Sequence, residues 1–377
     1  MTIGRTMLGP DTRDPLPGAS AGLVGEAAQD GKLVVSDRVA VDALLAEFLQ
    51  AKESGAASAE VVLFVGLLRE FLTGGKRLRP LLCYCGWRAV GGHGDIAPVT
   101  HVAAALELFH AFALIHDDVM DDSRTRRGRP TVHRQIAAWH PEHPDADRLG
   151  INSAILLGDL TLGWSYDLLQ LARLSGDRMA AVWSLLDTMR TETMAGQYLD
   201  LLATGGPGAD PELSLAICRG KTARYTIERP LQAGALLAGG GHDVLEACTA
   251  YGIPLGEAFQ LRDDLLGVFG SPEDTGKSVL EDLRQAKPTV LLAIARQRAG
   301  TRQRERLGVL VGDPTLDECG ADECRAILTE TGARATVEEM IDGRRQKALS
   351  VLASGLFNEA GIPLLRSLAV TATARVN

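Results

Sequence analysis

Residues 106–133 read LELFHAFALIHDDVMDDSRTRRGRPTVH. The first half is apolar and rich in Leu, Ala and Phe, with no long β-branched run, so it predicts a buried α-helix. That helix runs straight into acids. If it continues through them, Asp117 and Asp121 lie one turn apart on one face, with Asp118 three residues before Asp121. Clustered like charges repel, and the negative end of the helix dipole worsens the position. A divalent cation would turn that cost into a gain, and carboxylate oxygens with some water suit Mg²⁺. Arg124, Arg126, Arg127 and Arg129 follow within one loop. Their guanidinium forks match phosphate oxygens, so acids and arginines together suit a Mg²⁺–polyphosphate complex. The plainer reading is a solvated helix end with surface acids.

A second patch, FQLRDDLLG from Phe259 to Gly267, places Asp263 and Asp264 at the close of another long apolar helix. A Gly/Pro loop follows, then Lys277, Asp282 and Lys287. Two such helix ends suggest two carboxylate jaws facing each other across a bundle cavity. The segment FLTGGKRLRP, Phe71 to Pro80, sets Gly74 and Gly75 before Lys76, Arg77 and Arg79, with Pro80 suited to a first helical turn. Exposed amides and three cations near a helix start make an anion pocket. The spacing is not that of a nucleotide-binding P-loop. GKTARYT puts Lys221 and Thr222 in an apolar helical region, and MAGQYLD puts Gln197 and Asp200 one turn apart. Singly, these are ordinary helix positions, and they gain meaning only as a set.

The rest of the chain is helical in pattern. Val41, Leu44, Leu45 and Phe48 recur at i, i+3, i+4 and i+7. Further stretches run roughly 57–72, 79–91, 96–121, 148–172, 176–202, 209–240 and 243–269, with weaker ones near 279–298, 301–310, 321–333, 335–353 and 357–374. Gly91-Gly92, Gly239-Gly240-Gly241 and Ser271-Pro272 punctuate them. No alternating strand pattern stands out, so one large helical bundle is expected. Residues 1–38 have no sustained period and read as a flexible leader, leaving 39–377 as a single domain.

With 46% hydrophobic residues, the 377-residue chain has material for a large core. Its net charge of −9 argues against nucleic acid as a partner. Cys83, Cys85, Cys218, Cys248, Cys319 and Cys324 show no zinc spacing and read as free thiols of a reducing cytoplasm. Neither a signal peptide nor an uncharged apolar run of membrane-spanning length is seen.

GGKRLRP, DDVMD followed by RRGRP, GQYLD, GKT, FQLRDD and the later Lys277 occur in an order that resembles the trans-isoprenyl diphosphate synthase (polyprenyl synthetase) family, over about residues 40–375. The resemblance is nearest to actinobacterial short-chain members. It implies an all-α, isoprenoid synthase-type helical bundle around a central cavity, a homodimer and about three Mg²⁺ ions. It implies that Asp117, Asp121 and Asp263 bind metal, supported by Asp118 and Asp264. Arg126, Lys221 and Lys277 would hold the allylic diphosphate, and Gly75, Lys76, Arg79, His110 and Arg127 isopentenyl diphosphate. Thr222 and Gln260 would line the reacting centre, with Gln197 and Asp200 near the metals. In this family the second acidic motif often ends in a third Asp, where this chain has Gly267. Whether another acid, such as Asp282, takes its place stays open at this point.

The implied reaction joins an allylic diphosphate to isopentenyl diphosphate. Phe112 and Phe109, five and eight residues before Asp117, are expected on or near its face, where each could form the cavity floor or pack in the core; Phe109 reads rather as core packing, and Ala113 is small. An aromatic at the Phe112 offset commonly limits chain length in the family, and the first motif lacks a two-residue insertion. These favour geranylgeranyl diphosphate, with farnesyl diphosphate second. A class I terpene cyclase would explain the first acidic motif but not GGKRLRP, and an inactive isoprenoid-binding homologue would explain only Gly267.

Overall fold

Leu and Ala dominate the helical stretches, and each helix has one face too apolar to leave in water, so the helices can be stable only by packing on one another. The computed structural model describes residues 20–206, 210–270 and 280–374, and for 20–32, 34 and 374 the backbone alone. It is a helical assembly. The leading helices are α1 (Ser20–Ser54), α2 (Ala59–Phe71), α3 (Leu78–Ala89) and α4 (Ala97–Met120). A two-stranded hairpin, β1 (Thr125–Arg126) and β2 (Arg129–Pro130), precedes α5 (Val132–Trp139), α6 (Ala146–Leu171) and α7 (Gly176–Ala203). Then come α8 (Pro211–Cys218), a π-helix (Arg219–Glu228), α9 (Arg229–Leu237) and α10 (His242–Phe269). The remaining helices are α11 (Glu281–Arg284), α12 (Val290–Arg298), α13 (Thr301–Leu310), α14 (Glu318–Glu330), α15 (Ala333–Val351) and α16 (Ile362–Ala374).

At the centre lies α4. It is long and apolar enough to cross a membrane by length and composition, yet most of that surface is buried inside the protein. Leu106, Leu108, Phe109, Phe112 and Ile115 join one core with residues of α1, α2, α6 and α7. Each such side chain contributes about 1.5–3 kcal/mol on burial. Its most extensive partner is α6. Two further cores meet along α10: Leu261, Leu265 and Val268 pack toward α12–α15, and Cys248, Tyr251 and Leu255 toward α3, α9 and α16. Thus α4 and α10, the helices that end in the two acidic motifs, are each locked into the interior.

Several boundaries differ from expectation. Helix α1 begins at Ser20 rather than Val39, because AGLVGEAA is a good helix former despite its glycines. Residues 1–19 lie outside the described residues. The stretch 209–240 is three elements, since the ten residues Arg219–Glu228, which pack on α7, are widened to π-helix. The stretch 279–298 is split around Pro288, whose ring disfavours helix before it. The hairpin and α5 were not anticipated, because each is shorter than the window that periodicity needs.

Candidate active site

The first acidic motif starts inside α4 and ends at its cap. Asp121 is the C-cap residue, and its N–H bonds the Asp117 carbonyl at 2.9 Å, so the two side chains are one turn apart as expected. Asp118 is buried, and the Arg126 Nε donates to both its oxygens at 2.9 and 2.8 Å. Arg126 can reach back because Arg127 and Gly128 both take positive φ, 53° and 74°, giving the tight turn of a short hairpin. The Asp118–Arg126 pair therefore staples the hairpin to α4, and Arg126 Nη2 also comes within 3.6 Å of Asp117.

Across from it stands the π-helix, a geometry that often marks functional sites. Lys221 Nζ donates to Asp117 Oδ1 at 2.9 Å and to Asp200 Oδ2 at 2.6 Å, and Gln197 Nε2 donates to Asp117 Oδ1 at 3.2 Å. Gly196 makes this possible: a Cβ there would lie 2.5 Å from the Lys221 backbone nitrogen. The neighbouring residue points to the other motif. Thr222 Oγ1 donates to Gln260 Oε1 at 2.8 Å, and Gln260 Nε2 donates to Asp264 Oδ1 at 2.8 Å. Asp263 and Asp264 lie within the last two turns of α10, partly buried. Two consecutive residues of the π-helix thus tie together the ends of α4 and α10.

A third element closes the arrangement. Gln285 Nε2 donates to the Asp121 carbonyl at 3.3 Å, and Lys287 pairs with Asp282 at 3.0 Å. Lys287 was outside the expected set. Its charge is felt by Asp117 and Asp121, and although burial opposes protonation, Asp282 and Asp121 hold its ammonium protonated well above the usual range. In the sequence it stands downstream of the second acidic motif without a role, and only the folded chain brings it beside these acids. Lys277, assigned to the allylic diphosphate by resemblance, lies outside the described residues.

The acids are perturbed as a crowded anionic site should be. Burial, and then repulsion by Asp117, push Asp121 up to about 6. Asp117 stays below its usual value: burial opposes ionisation, but Lys221 and Arg126 prevail. Burial pushes Asp264 up to about 7, with Asp282 and Asp263 adding to it. All donors at the two helix ends are hard carboxylate oxygens, which fit Mg²⁺. Among the described residues no three His, Cys, Asp or Glu side chains form a ready-made metal cage. Water and diphosphate oxygens would complete the shell, as Mg²⁺ prefers.

The basic groups divide. Arg77 is consumed by structure: it binds Asp42 and Glu107, each at 2.7 Å, and the Leu72 carbonyl at 2.6 Å, so it leaves the expected anion pocket. Arg79 is also buried, stacked on the Tyr225 ring at 4.1 Å with Nη2 donating to Thr226 Oγ1 at 2.7 Å. Its Nε has no hydrogen-bond partner among the described residues. Burial lowers its affinity for the proton, which marks a cation short of counter-charge. His110 shares a short hydrogen bond with the Tyr225 hydroxyl, and burial with four surrounding arginines keeps it neutral. Gly75 sits against Arg77, Glu107 and Arg127, and Lys76 is exposed. A cavity of about 260 Å³, lined by Thr73, Gly74, Arg126 and Arg127 among others, opens beside them. Tyr225 and Glu107 join this group only through the fold.

Phe112 is buried edge-on to Phe109 at 5.5 Å and to His116 at 4.9 Å. Five residues are about 140° past a full helical turn, so Phe112 lies well round from Asp117 and Ala113 is nearer its face. Phe109 meets Tyr225 at 5.7 Å.

Residues 63–328 match the polyprenyl synthetase family. The chain is 34% identical over 263 residues to a geranylfarnesyl diphosphate synthase of Aeropyrum pernix, covering 69% of this chain and 77% of that one. Identity to a geranylgeranyl diphosphate synthase of Mycobacterium tuberculosis is 32% over 280 residues, covering 74% and 75%. Among solved structures, the geranylgeranyl pyrophosphate synthase from Corynebacterium glutamicum complexed with isoprenyl diphosphate and magnesium gives a TM-score of 0.86 at 40% identity. That likeness covers 89% of this chain and 98% of the other.

Proposed function

The chain belongs to the polyprenyl synthetase family and is a prenyl diphosphate synthase, and from that premise we propose that it condenses allylic diphosphates with isopentenyl diphosphate to give chiefly geranylgeranyl diphosphate. The observation that carries the site reading is the pair of links from the π-helix, Lys221 to Asp117 and Thr222 through Gln260 to Asp264. These bring both acidic motifs to one place. Asp117, Asp121 and Asp263 would hold Mg²⁺, with about three ions by analogy with the family. Bound there, the metal supplies positive charge to the departing diphosphate.

The chain's own groups account for the rest. Lys221 and Arg126 lie beside Asp117, poised to stabilise negative charge as the allylic C–O bond breaks. The Thr222 hydroxyl and Gln260 amide present oriented dipoles beside the reacting carbons. Arg79, Arg127, Lys76 and neutral His110 serve the second diphosphate, and the buried apolar walls exclude water. Among the described residues no side chain stands out as a dedicated base, so the departing diphosphate is the proton acceptor in this reading.

Arg79→Gln should raise the KM for isopentenyl diphosphate about 10- to 100-fold, as for loss of a buried charged hydrogen bond, and move the allylic KM far less. An equal rise in both, by steady-state kinetics, would count against separate sites.

For product length, the reading rests on the family resemblance at Phe112, an aromatic buried against Phe109 and His116 though turned away from the Asp117 face. Incubating the protein with radiolabelled isopentenyl diphosphate and allylic primers, then chromatographing the dephosphorylated products, tests the activity and its length together. Wild type should give mainly the twenty-carbon product, and Phe112→Ala longer ones. An unchanged distribution in folded Phe112→Ala would place the floor elsewhere.

A homodimer also belongs to this reading. Leu156 and Leu171 on α6, with Trp183, Tyr198 and Leu202 on α7, are exposed apolar side chains suited to a second copy. Sedimentation velocity of the intact chain reports it. A cytoplasmic location fits the six free thiols.

A further inference from the structure

The second acidic motif ends in Gly267, so its jaw lacks one acid within α10. A Cβ built on Gly267 would lie 2.1 Å from Asp282 Oδ2 and 3.1 Å from Asp282 Cγ. A carboxyl carbon on residue 267 would stand about 1.5 Å beyond that Cβ. The Asp282 carboxylate therefore occupies the space an aspartate at 267 would use. It arrives from α11, fifteen positions later in the chain, and is held from its far side by Lys287 at 3.0 Å. The backbone of the same turn is closed, with Lys287 N–H on the Asp282 carbonyl at 3.2 Å. Gln285 of this turn bonds the Asp121 carbonyl, which fixes α11 against the first jaw. We propose that Asp282 supplies the carboxylate that Gly267 lacks, so that the second jaw is complete and is built from two separate segments, with Lys287 as its positioning residue. The inference deepens the prenyltransferase reading and rests on it.

Two consequences distinguish this from a mere salt bridge under a loop. Gly267→Asp, which would restore the common motif, should damage the protein instead, because the new side chain collides with a carboxylate and adds a like charge. The double variant Gly267→Asp/Asp282→Gly should recover function, because one acid then fills the one space. The measurement is Mn²⁺ binding by electron paramagnetic resonance in the full chain, with a non-reacting allylic thiolodiphosphate present, alongside turnover and thermal melting. Asp282→Asn is expected to weaken Mn²⁺ binding about tenfold while melting close to wild type, Gly267→Asp to lose at least tenfold in turnover, and the double variant to regain most of both. Wild-type Mn²⁺ binding by a folded Asp282→Asn protein would overturn the proposal. So would a folded double variant no better than Gly267→Asp. If wild type itself fails to join the two diphosphates, the prenyltransferase reading falls, and the Mn²⁺ titration still decides whether Asp282 serves the cation.

Discussion

Asp117→Ala should lower kcat by at least about 10³-fold, roughly 4 kcal/mol of lost transition-state stabilisation. The residue is the meeting point of the site: Lys221, Gln197 and Arg126 all converge on its carboxylate. Removing it takes away two carboxylate oxygens proposed to hold metal and also releases Lys221 from one of its two partners. The loss should persist at saturating Mg²⁺, because no neighbouring acid can reach the same spot from α4: Asp118 is turned inward onto Arg126. Incorporation of labelled isopentenyl diphosphate measures it, with a melting curve to show the fold intact. Turnover near wild type in a folded Asp117→Ala protein would remove the first jaw from the mechanism.

Lys221→Ala should reduce kcat by about 10²- to 10³-fold, on the order of 3–4 kcal/mol. Its ammonium lies between Asp117 and Asp200, and although burial opposes its charge, those acids hold it protonated. Without it Asp117 and Asp200 face each other with no ammonium between them, and the positive charge proposed to meet the leaving diphosphate is gone. The KM for the allylic substrate should rise more than that for isopentenyl diphosphate. Kinetics with each substrate varied in turn check this, and the opposite split would move Lys221 to the other diphosphate.

Much of this was legible in one dimension. Helix α4 runs Ala97–Met120 where residues 96–121 were expected, because an unbroken apolar pattern and good helix formers point the same way. The i, i+4 placement of Asp117 and Asp121 is a property of any α-helix. The π-helix was not legible. Its widened turn follows from the close crossing of Gly196 and Gly220, which are separated in sequence and meet only in the folded chain. Phe112 shows the reverse: its proximity in sequence to Asp117 suggested a shared face, and the helical angle turns it toward His116.

The sequence by itself determined the helical class, the two acidic helix ends, the basic loops and the family, since these depend on local propensity and on motifs read in order. Tertiary structure alone decided the division of labour among like residues. Arg77 and Arg79 stand two positions apart, yet one is neutralised by Asp42 and Glu107 while the other keeps an unpaired Nε beside Tyr225. Asp118 anchors the hairpin because Arg126 folds back onto it, which leaves Asp117 to face Lys221 and to take the proposed metal-binding role. Asp282 was an open candidate beside Gly267 from the sequence, and only packing brought its carboxylate against that glycine with Lys287 paired to it. The physical reason is range: helix formation is settled over a few residues, whereas electrostatic and hydrogen-bond partnership falls off within a few ångströms of space, and only packing sets those distances.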